Sequence, residues 1–209
     1  MTGKSKTVIA VLMLVAAVLG GFVYKIHRQN QAVEIKALLY PTPKLLPEFE
    51  MTSHTNESFS QNQWLGKWSV VFFGFTFCPD ICPTTLSALA EVYDNLPPDV
   101  KSKTQFVMVS VDPERDTVER LAGYVPFFNE DFIGIRGSAE QLKTLSMSVG
   151  AVYMKQPMGD TYTMQHTGRI FIVDPMGRRF GIFAEDHTNP AIVDVAQVTS
   201  DLTQIVRTN

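Results

Sequence analysis

Residues 68–95, WSVVFFGFTFCPDICPTTLSALAEVYDN, determine the fold of this chain. The first part of this stretch, residues 68–75, is almost continuously apolar, which is typical of a strand that is buried on both faces of a sheet. Residues 83–95 then predict a helix. Cys78 and Cys82 lie between the two elements, at the carboxyl edge of the sheet, where open α/β sheets place their functional sites.

Further strands are predicted on both sides of this stretch. The sequence TQFVMVSV, residues 104–111, predicts a second buried strand. A turn at Asn56 separates two short strands, and a Pro-Met-Gly turn separates two later strands in a β-hairpin. These four strands are predicted at residues 49–51, 58–59, 169–173 and 179–183.

Helix signals alternate with the strands. The tetrapeptides DTVE and SAEQ both have the spacing of a capping box, with Asp116 and Ser138 as the predicted caps. The helices that they open are expected to reach about residue 124 and residue 149. Asn189 and Pro190 fit the cap and first position of a closing helix. The order of strand, helix, strand, helix, hairpin and helix predicts an α/β sandwich of the thioredoxin type.

The N-terminal 47 residues differ in composition from this predicted domain at 48–209. Residues 7–24 carry no charge, and roughly 18 residues at about 1.5 Å each can cross a hydrocarbon core of about 30 Å. We therefore predict one transmembrane helix within residues 1–28, the alternative being a secretory signal segment. Residues 29–47 are first polar and then rich in proline, which predicts a linker.

Export of the domain would place the thiol pair in a compartment where oxidation occurs. We expect a single-pass protein of the inner, cytoplasmic membrane whose globular domain faces the periplasm or an equivalent exported compartment. The formal net charge of −3 and the pI of about 5.8 provide no basic surface for a phosphate backbone. Nucleic acid is therefore not an expected partner.

Cys78 and Cys82 are the only cysteines among the 209 residues. Cys82 faces a predicted helix start, where free amides and the helix dipole favour a thiolate, so we expect its pKa to be lowered. Residues four apart in a regular helix are too distant for a disulfide, but Pro79 makes regular helix doubtful there. The spacing leaves a disulfide, a redox couple and a metal site all open.

A metal site would need a further nitrogen or sulfur ligand from the chain. The chain has four histidines, of which His27, His54 and His187 are interpreted as ordinary surface or core residues. His166 immediately precedes a predicted strand of the late hairpin. In a thioredoxin-like sandwich the loop that enters this strand passes beside the cysteine helix, so His166 is the candidate third ligand.

Four segments of the chain, taken in their order along the sequence, resemble a known family: FGFTFCPDICPTTL, VSVDPERDTVERLAGYV, GAVYMK and QHTGRIFIVDPMGR. They resemble the Sco/SenC family of copper chaperones for cytochrome c oxidase assembly, over about residue 48 to the C-terminus. The resemblance implies a thioredoxin-like fold with a β-hairpin insertion, and copper, as Cu(I) or Cu(II), bound by Cys78, Cys82 and His166. Two thiolates and one imidazole suit Cu(I), whereas structural zinc would want a fourth ligand.

The resemblance also implies partners for the protein, and an alternative function stays open. The expected function is delivery of copper, received from a donor protein, to the copper A centre of cytochrome c oxidase subunit II or to another cuproprotein. The alternative is a membrane-tethered thiol-disulfide oxidoreductase that reduces the cysteines of that subunit with Cys78 and Cys82 as its redox pair. Residues 165–169 lack the proline that thioredoxin-like redox enzymes place there, which favours the copper function.

The chain departs from the family at Gln165, where an aspartate often precedes the histidine, and this departure puts local tuning of the site in doubt.

Peroxiredoxin chemistry, with a threonine and an arginine polarising peroxide, is a third hypothesis. Its candidate residues are Thr76, Thr84 and Arg115. Other weaker candidates are Asp80 as a docking charge, Asp112, Glu114 and Arg115 as a loop ion pair, and Met154, Met158 and Met164 as accessory copper ligands.

Overall fold

The computed structural model describes residues 12–17, 19–21, 35–183 and 193–209. Residues 12–17 and 19–21 are helical, and most of the predicted membrane segment at 1–28 lies outside the described residues. Within the described part of the chain, no helix combines the length and the apolar character that crossing a membrane requires. Ile35 to Asn209 form one compact unit.

The unit contains ten strands among its described residues, an eight-stranded central sheet and a separate hairpin. The strands are β1 Leu38–Leu45, β2 Glu50–Ser53, β3 Ser58–Ser60, β4 Trp68–Gly74, β5 Thr104–Ser110, β6 Ile133–Arg136, β7 Tyr153–Met158, β8 Thr161–His166, β9 Ile170–Val173 and β10 Arg178–Ile182. The order in the central sheet is β1-β10-β9-β4-β5-β6-β2-β3. The strand β4 pairs in parallel with β5, and β5 with β6, whereas the remaining neighbours are antiparallel. Two further strands, β7 and β8, form a separate hairpin.

Helices cover the sheet, which makes the fold the predicted α/β sandwich with a β-hairpin insertion. Every residue of β4 and β5 is buried, as their continuous apolar runs predict. Aromatic rings fill the space under the helices, with the rings of Phe106 and Phe132 stacked at 5.0 Å between centroids. The helices are α1 Ile81–Asn95, α2 Pro98–Lys101, α3 Val118–Phe128, α4 Ala139–Val149 and α5 Val195–Thr208, with a 3-10 helix at Gln61–Trp64.

The ends of the helices differ in part from the capping patterns. Ser138 caps α4 as predicted, since its side chain accepts from the Gln141 amide. Asp116 does not cap α3, because that helix begins one residue after Thr117, whose side chain accepts from the Arg120 amide. Asp194 caps α5, and the predicted cap at 189–190 lies outside the described residues.

The stretch predicted to be a linker, residues 29–47, contains the first strand of the sheet. Strand β1 pairs with β10 from Leu38 opposite Ile182 to Leu45 opposite Arg178. The backbone just before β1 is also fixed, because Asp201, only 1% exposed on α5, accepts from the Ala37 amide at 2.8 Å. Edge strands tolerate proline, which is why a proline-rich segment can still pair.

A fragment that starts at residue 48 should therefore be less stable than one that starts at residue 35. Removing β1 exposes the edge of β10 and leaves the Asp201 carboxylate without its backbone donors. We expect a loss of about 2 to 4 kcal/mol in the free energy of unfolding, at about 1 kcal/mol for each lost hydrogen bond. Urea denaturation of the two fragments measures the difference, and equal midpoints would show that β1 adds nothing to the domain.

Candidate metal centre

Cys78 lies on the loop between β4 and α1, and Cys82 lies in the first turn of α1. The Cys78 amide donates to the Phe75 carbonyl at 3.2 Å, which closes a tight turn as the chain leaves the strand. The Cys82 amide donates to Cys78 Sγ at 3.3 Å. The Cys82 amide is one of the backbone amides at the N-terminus of α1 that have no partner within the helix. It is directed at Cys78 Sγ and not at Cys82 Sγ.

The loop places the two sulfurs in different surroundings. Cys82 is fully buried, whereas Cys78 is half-buried beside Phe77 and Ile81, whose side chains are 43% and 40% exposed. Gly74 leaves the space that Cys82 needs, because a Cβ there would lie 3.1 Å from Cys82 Sγ. Asp80 stays exposed, and its side chain makes no capping bond to α1.

His166 completes the cluster from the last position of β8. Its Nε2 lies 3.3 Å from Cys82 Sγ, and the ligand atoms of Cys78, Cys82 and His166 all lie within 4.8 Å of one another. The structure therefore brings together the three residues that the sequence singled out, and the metal-binding role of this cluster stays a prediction. Of the other histidines, His54 accepts from the Gly134 amide at 3.0 Å, and His27 and His187 lie outside the described residues.

The ring of His166 is held in one orientation. Its Nδ1 lies 3.1 Å from the Thr167 carbonyl oxygen, a contact that suits an Nδ1–H donor, and in that tautomer the lone pair of Nε2 is available to a metal ion on the side of the sulfurs. The rings of Phe72 and Phe75 meet the imidazole edge to face, each with centroids 5.8 Å away. An oriented lone pair in an aromatic wall is the arrangement expected of a metal ligand.

The pKa values of the two thiols are shifted in opposite directions. The hydrogen bond from the Cys82 thiol lowers the pKa of Cys78 to about 4, and donation from nearby backbone amides acts in the same direction. That same hydrogen bond raises the pKa of Cys82, and burial raises it further. The prediction of a lowered pKa at Cys82 was wrong, because the helix amide reaches Cys78 Sγ and Cys82 lies in the core.

Alkylation can test this assignment. At pH 6 iodoacetamide should modify Cys78 and leave Cys82 unmodified, because a pKa of about 4 leaves Cys78 ionised at that pH. The rate at Cys78 should stay nearly constant from pH 8 to pH 5 and fall only as the pH approaches about 4. Peptide mass spectrometry measures both sites, and the urea-unfolded chain is the control. A rate at Cys78 that rises tenfold per unit between pH 6 and pH 8 would contradict the assignment.

The buried carboxylate of Asp116 holds the residues that lead into the cysteine loop. Asp116 is fully buried and accepts from the Thr76 amide at 3.2 Å, from the Thr76 hydroxyl at 2.6 Å and from the Ser110 hydroxyl at 2.6 Å. These bonds join the end of β5 to the residue two positions before Cys78. Sequence reasoning missed this role, although a run of Thr, Ser and Asp at two neighbouring strand ends is a signal that could have revealed it.

The two threonines proposed for peroxide chemistry, Thr76 and Thr84, are engaged in other hydrogen bonds. The Thr76 hydroxyl donates to Asp116 and accepts from Arg120 Nε at 2.6 Å. The Thr84 hydroxyl donates to the Asp80 carbonyl at 2.9 Å. Neither hydroxyl is free to polarise a peroxide beside the sulfurs, which disfavours the peroxiredoxin hypothesis.

The hairpin of β7 and β8 separates two of the three candidate methionines from the histidine. Tyr153 pairs with His166, so Met154 and Gln165 occupy the opposite face of the hairpin. Met158, four positions along β7, shares the face of Met154, and both side chains are 58% exposed. These two methionines therefore cannot assist the same metal ion, and Met164 is packed in the core.

Comparisons with known proteins find a matching family model and several similar proteins. The family model described as SCO1/SenC matches residues 39–200. A candidate copper-binding protein of Stutzerimonas stutzeri is 36% identical over 146 residues, which are 69% of this chain and 71% of that protein. The mitochondrial SCO1 homologue 1 of Arabidopsis thaliana is 32% identical over 147 residues, 70% of this chain but only 44% of the relative.

The solved structure of Arabidopsis thaliana ScoI with copper bound has a similar fold. It superimposes with a TM-score of 0.69 at 30% identity, and the match covers 79% of this chain and 99% of that one. The matched part thus corresponds to the whole of that crystallised domain.

Proposed function

Because the chain belongs to the SCO1/SenC family, we propose that it is a copper metallochaperone that delivers copper to the copper A centre of cytochrome c oxidase subunit II. The observation that carries the proposal is the cluster of Cys78, Cys82 and His166, whose ligand atoms lie within 4.8 Å of one another. Copper bound in the solved ScoI structure supports the choice of metal.

The donor set fits copper as a cargo. Two sulfurs and one imidazole nitrogen form a soft trigonal donor set for Cu(I), and among the residues that the structure describes no fourth Cys, His, Asp or Glu joins the cluster as structural zinc would require. Cys78 lies at the surface, where an incoming thiolate can approach. Transfer would then proceed by exchange of ligands between donor and acceptor, with no substrate turned over.

We also propose that residues 1–28 attach the domain to the inner membrane and that the domain faces the periplasm or an equivalent exported compartment. The uncharged run at residues 7–24 supports the attachment. The thiol pair of Cys78 and Cys82 supports the location, because an exported compartment allows such a pair to be oxidised as well as reduced.

Copper transfer tests the delivery proposal directly. The reduced protein, loaded with one equivalent of Cu(I), is mixed with the purified metal-free copper A domain of subunit II, and copper is measured in each protein after separation. We expect copper to move to the oxidase domain. Retention of all copper by the chaperone, with the acceptor competent to take copper from free Cu(I), would refute delivery to this target.

A second function is favoured by the asymmetry of the two thiols. A half-buried cysteine with a pKa of about 4 next to a protonated partner is typical of thiol-disulfide oxidoreductases. In that reaction Cys78 attacks a disulfide of subunit II, Cys82 releases the mixed disulfide, and the two thiols are oxidised while two thiols form on the substrate. Mixing the metal-free reduced protein with the oxidised copper A domain tests this step, and no loss of thiols from Cys78 and Cys82 would exclude it.

A further inference from the structure

We infer that Arg115 is a positioning residue that holds the hairpin of His166 against the loop of the two cysteines. The inference rests on the proposed function, since it concerns how the third ligand of the copper site is kept in place. Arg115 follows β5, on the loop between β5 and α3, and it belongs to neither of the two segments that supply the ligands.

The hairpin that carries His166 needs such a support. Among the strands that the structure describes, β7 and β8 pair only with each other and are not part of the main sheet. An isolated two-stranded hairpin is at best marginally stable in water. Most residues of β7 are exposed, and Met164 is the one residue of β8 that is buried. The position of His166 therefore depends on contacts between the hairpin and the rest of the domain.

Arg115 makes two of these contacts with one residue of β8. Its guanidinium lies over the ring of Tyr162 at 3.8 Å from the centroid, and its Nη1 donates to the Tyr162 carbonyl oxygen at 3.0 Å. Tyr162 pairs across the hairpin with Pro157 and shares a face with His166. A residue that fixes both the ring and the backbone of Tyr162 fixes the strand on which the histidine lies.

The same guanidinium also contacts the cysteine loop. It lies 4.6 Å from the centroid of Phe77, which directly precedes Cys78, and 6.0 Å from that of Phe75. A planar guanidinium can stack on several rings and donate hydrogen bonds in fixed directions at the same time, whereas a lysine ammonium offers one compact charge without that planar geometry. Arg115 is thus a single side chain that touches both ligand-bearing segments.

Asp112 fixes Arg115 in this position. Its carboxylate is 2% exposed and accepts from Arg115 Nε and from the Tyr162 hydroxyl, the latter at 2.9 Å. The buried carboxylate therefore orients the arginine and meets the hairpin at the same point. By contrast, the ion pair of Glu114 with Lys155 on β7, at 2.7 Å, is exposed on both sides and is expected to contribute little.

A double-mutant cycle in the full chain can separate positioning from general stability. Arg115→Met should weaken Cu(I) binding about 10- to 100-fold when His166 is present, as outer partners of metal ligands commonly do. In a His166→Ala background the same change should cost less than about 3-fold, because the ligand that Arg115 positions is absent. Competition with a colorimetric Cu(I) chelator measures all four affinities. Equal losses in the two backgrounds would overturn the inference.

Two further variants control for side effects. Arg115→Lys keeps a positive charge beside Asp112 but loses the planar guanidinium that contacts both Tyr162 and Phe77, so it should lose Cu(I) affinity nearly as much as Arg115→Met. Arg178→Met breaks a similar arginine bond to a buried carboxylate, Asp174, in the turn between β9 and β10, and it should leave Cu(I) affinity unchanged. Full affinity in Arg115→Lys, or an equal loss in Arg178→Met, would count against a positioning role.

A measurement on the metal-free protein keeps this inference separate from the copper proposal. Amide hydrogen exchange of β7 and β8 should accelerate at least about 10-fold in Arg115→Met while exchange in β4 and β5 stays unchanged. If the unaltered protein fails to bind Cu(I), the proposed function fails, and the exchange result still decides whether Arg115 holds the hairpin. Unchanged exchange in β7 and β8 would refute it.

Discussion

Replacing His166 with alanine should weaken Cu(I) binding by more than about 100-fold, since loss of a mere outer partner of a metal ligand already costs about 10- to 100-fold. The reason lies in the geometry of the site. Nε2 is the only nitrogen in the cluster, and Cys78 and Cys82 alone would leave the ion two-coordinate on the side that faces the hairpin. Chelator competition on the reduced protein measures the change.

Gln165→Ala is the matched control for this prediction. Gln165 directly precedes His166 but occupies the opposite, exposed face of the hairpin. We expect its replacement to change Cu(I) affinity by less than about 3-fold, because it removes no ligand and disturbs no buried contact. An affinity in His166→Ala equal to that of the unaltered protein would remove His166 from the ligand set and, with it, the trigonal site.

Replacing Asp116 with alanine should lower the free energy of unfolding by about 3 to 5 kcal/mol, because three buried donors would lose their acceptor at about 1 to 3 kcal/mol each. The carboxylate is fully buried and satisfies the Thr76 amide, the Thr76 hydroxyl and the Ser110 hydroxyl. Without it these donors stay buried and lose their acceptor. Urea denaturation of the metal-free protein provides the measurement.

Asp80→Ala is the appropriate comparison, because Asp80 is an aspartate of the same region that is exposed and makes no capping bond. Its replacement should change stability by no more than about 0.5 kcal/mol. We also expect Asp116→Asn to be less damaging than Asp116→Ala, since an amide oxygen keeps one acceptor. A loss below about 1 kcal/mol in Asp116→Ala would mean that water or a shifted side chain replaces the carboxylate.

The main elements of the fold could be predicted because they depend on local pattern. The apolar runs of β4 and β5 match strands whose every residue is buried, and the turn at Asn56 has the positive φ of 64° that a turn asparagine adopts readily. The grouping of Cys78, Cys82 and His166 could also be predicted, because each lies at the end of a predicted element on the same edge of the sheet.

What could not be predicted depends on contacts between distant parts of the chain. Strand β1 is an edge strand, so its sequence lacks the apolar alternation that a buried partner imposes, and only pairing with β10 identifies it. Asp116 has the spacing of a helix cap, and its burial beside Thr76 is a tertiary contact that overrides the local preference. The lowered pKa of Cys78 likewise depends on where one amide and one thiol point.

The separate hairpin has a consequence for how a bound ion would leave. The two sulfurs are fixed by the central sheet and α1, whereas the nitrogen lies on a two-stranded ribbon outside that sheet. A small outward swing of the ribbon would detach the nitrogen and leave the ion on two sulfurs with a vacant coordination position. The rate at which the ion passes to an acceptor would then depend on the opening of the ribbon. The affinity for the ion and the rate of its release would therefore vary independently in this fold.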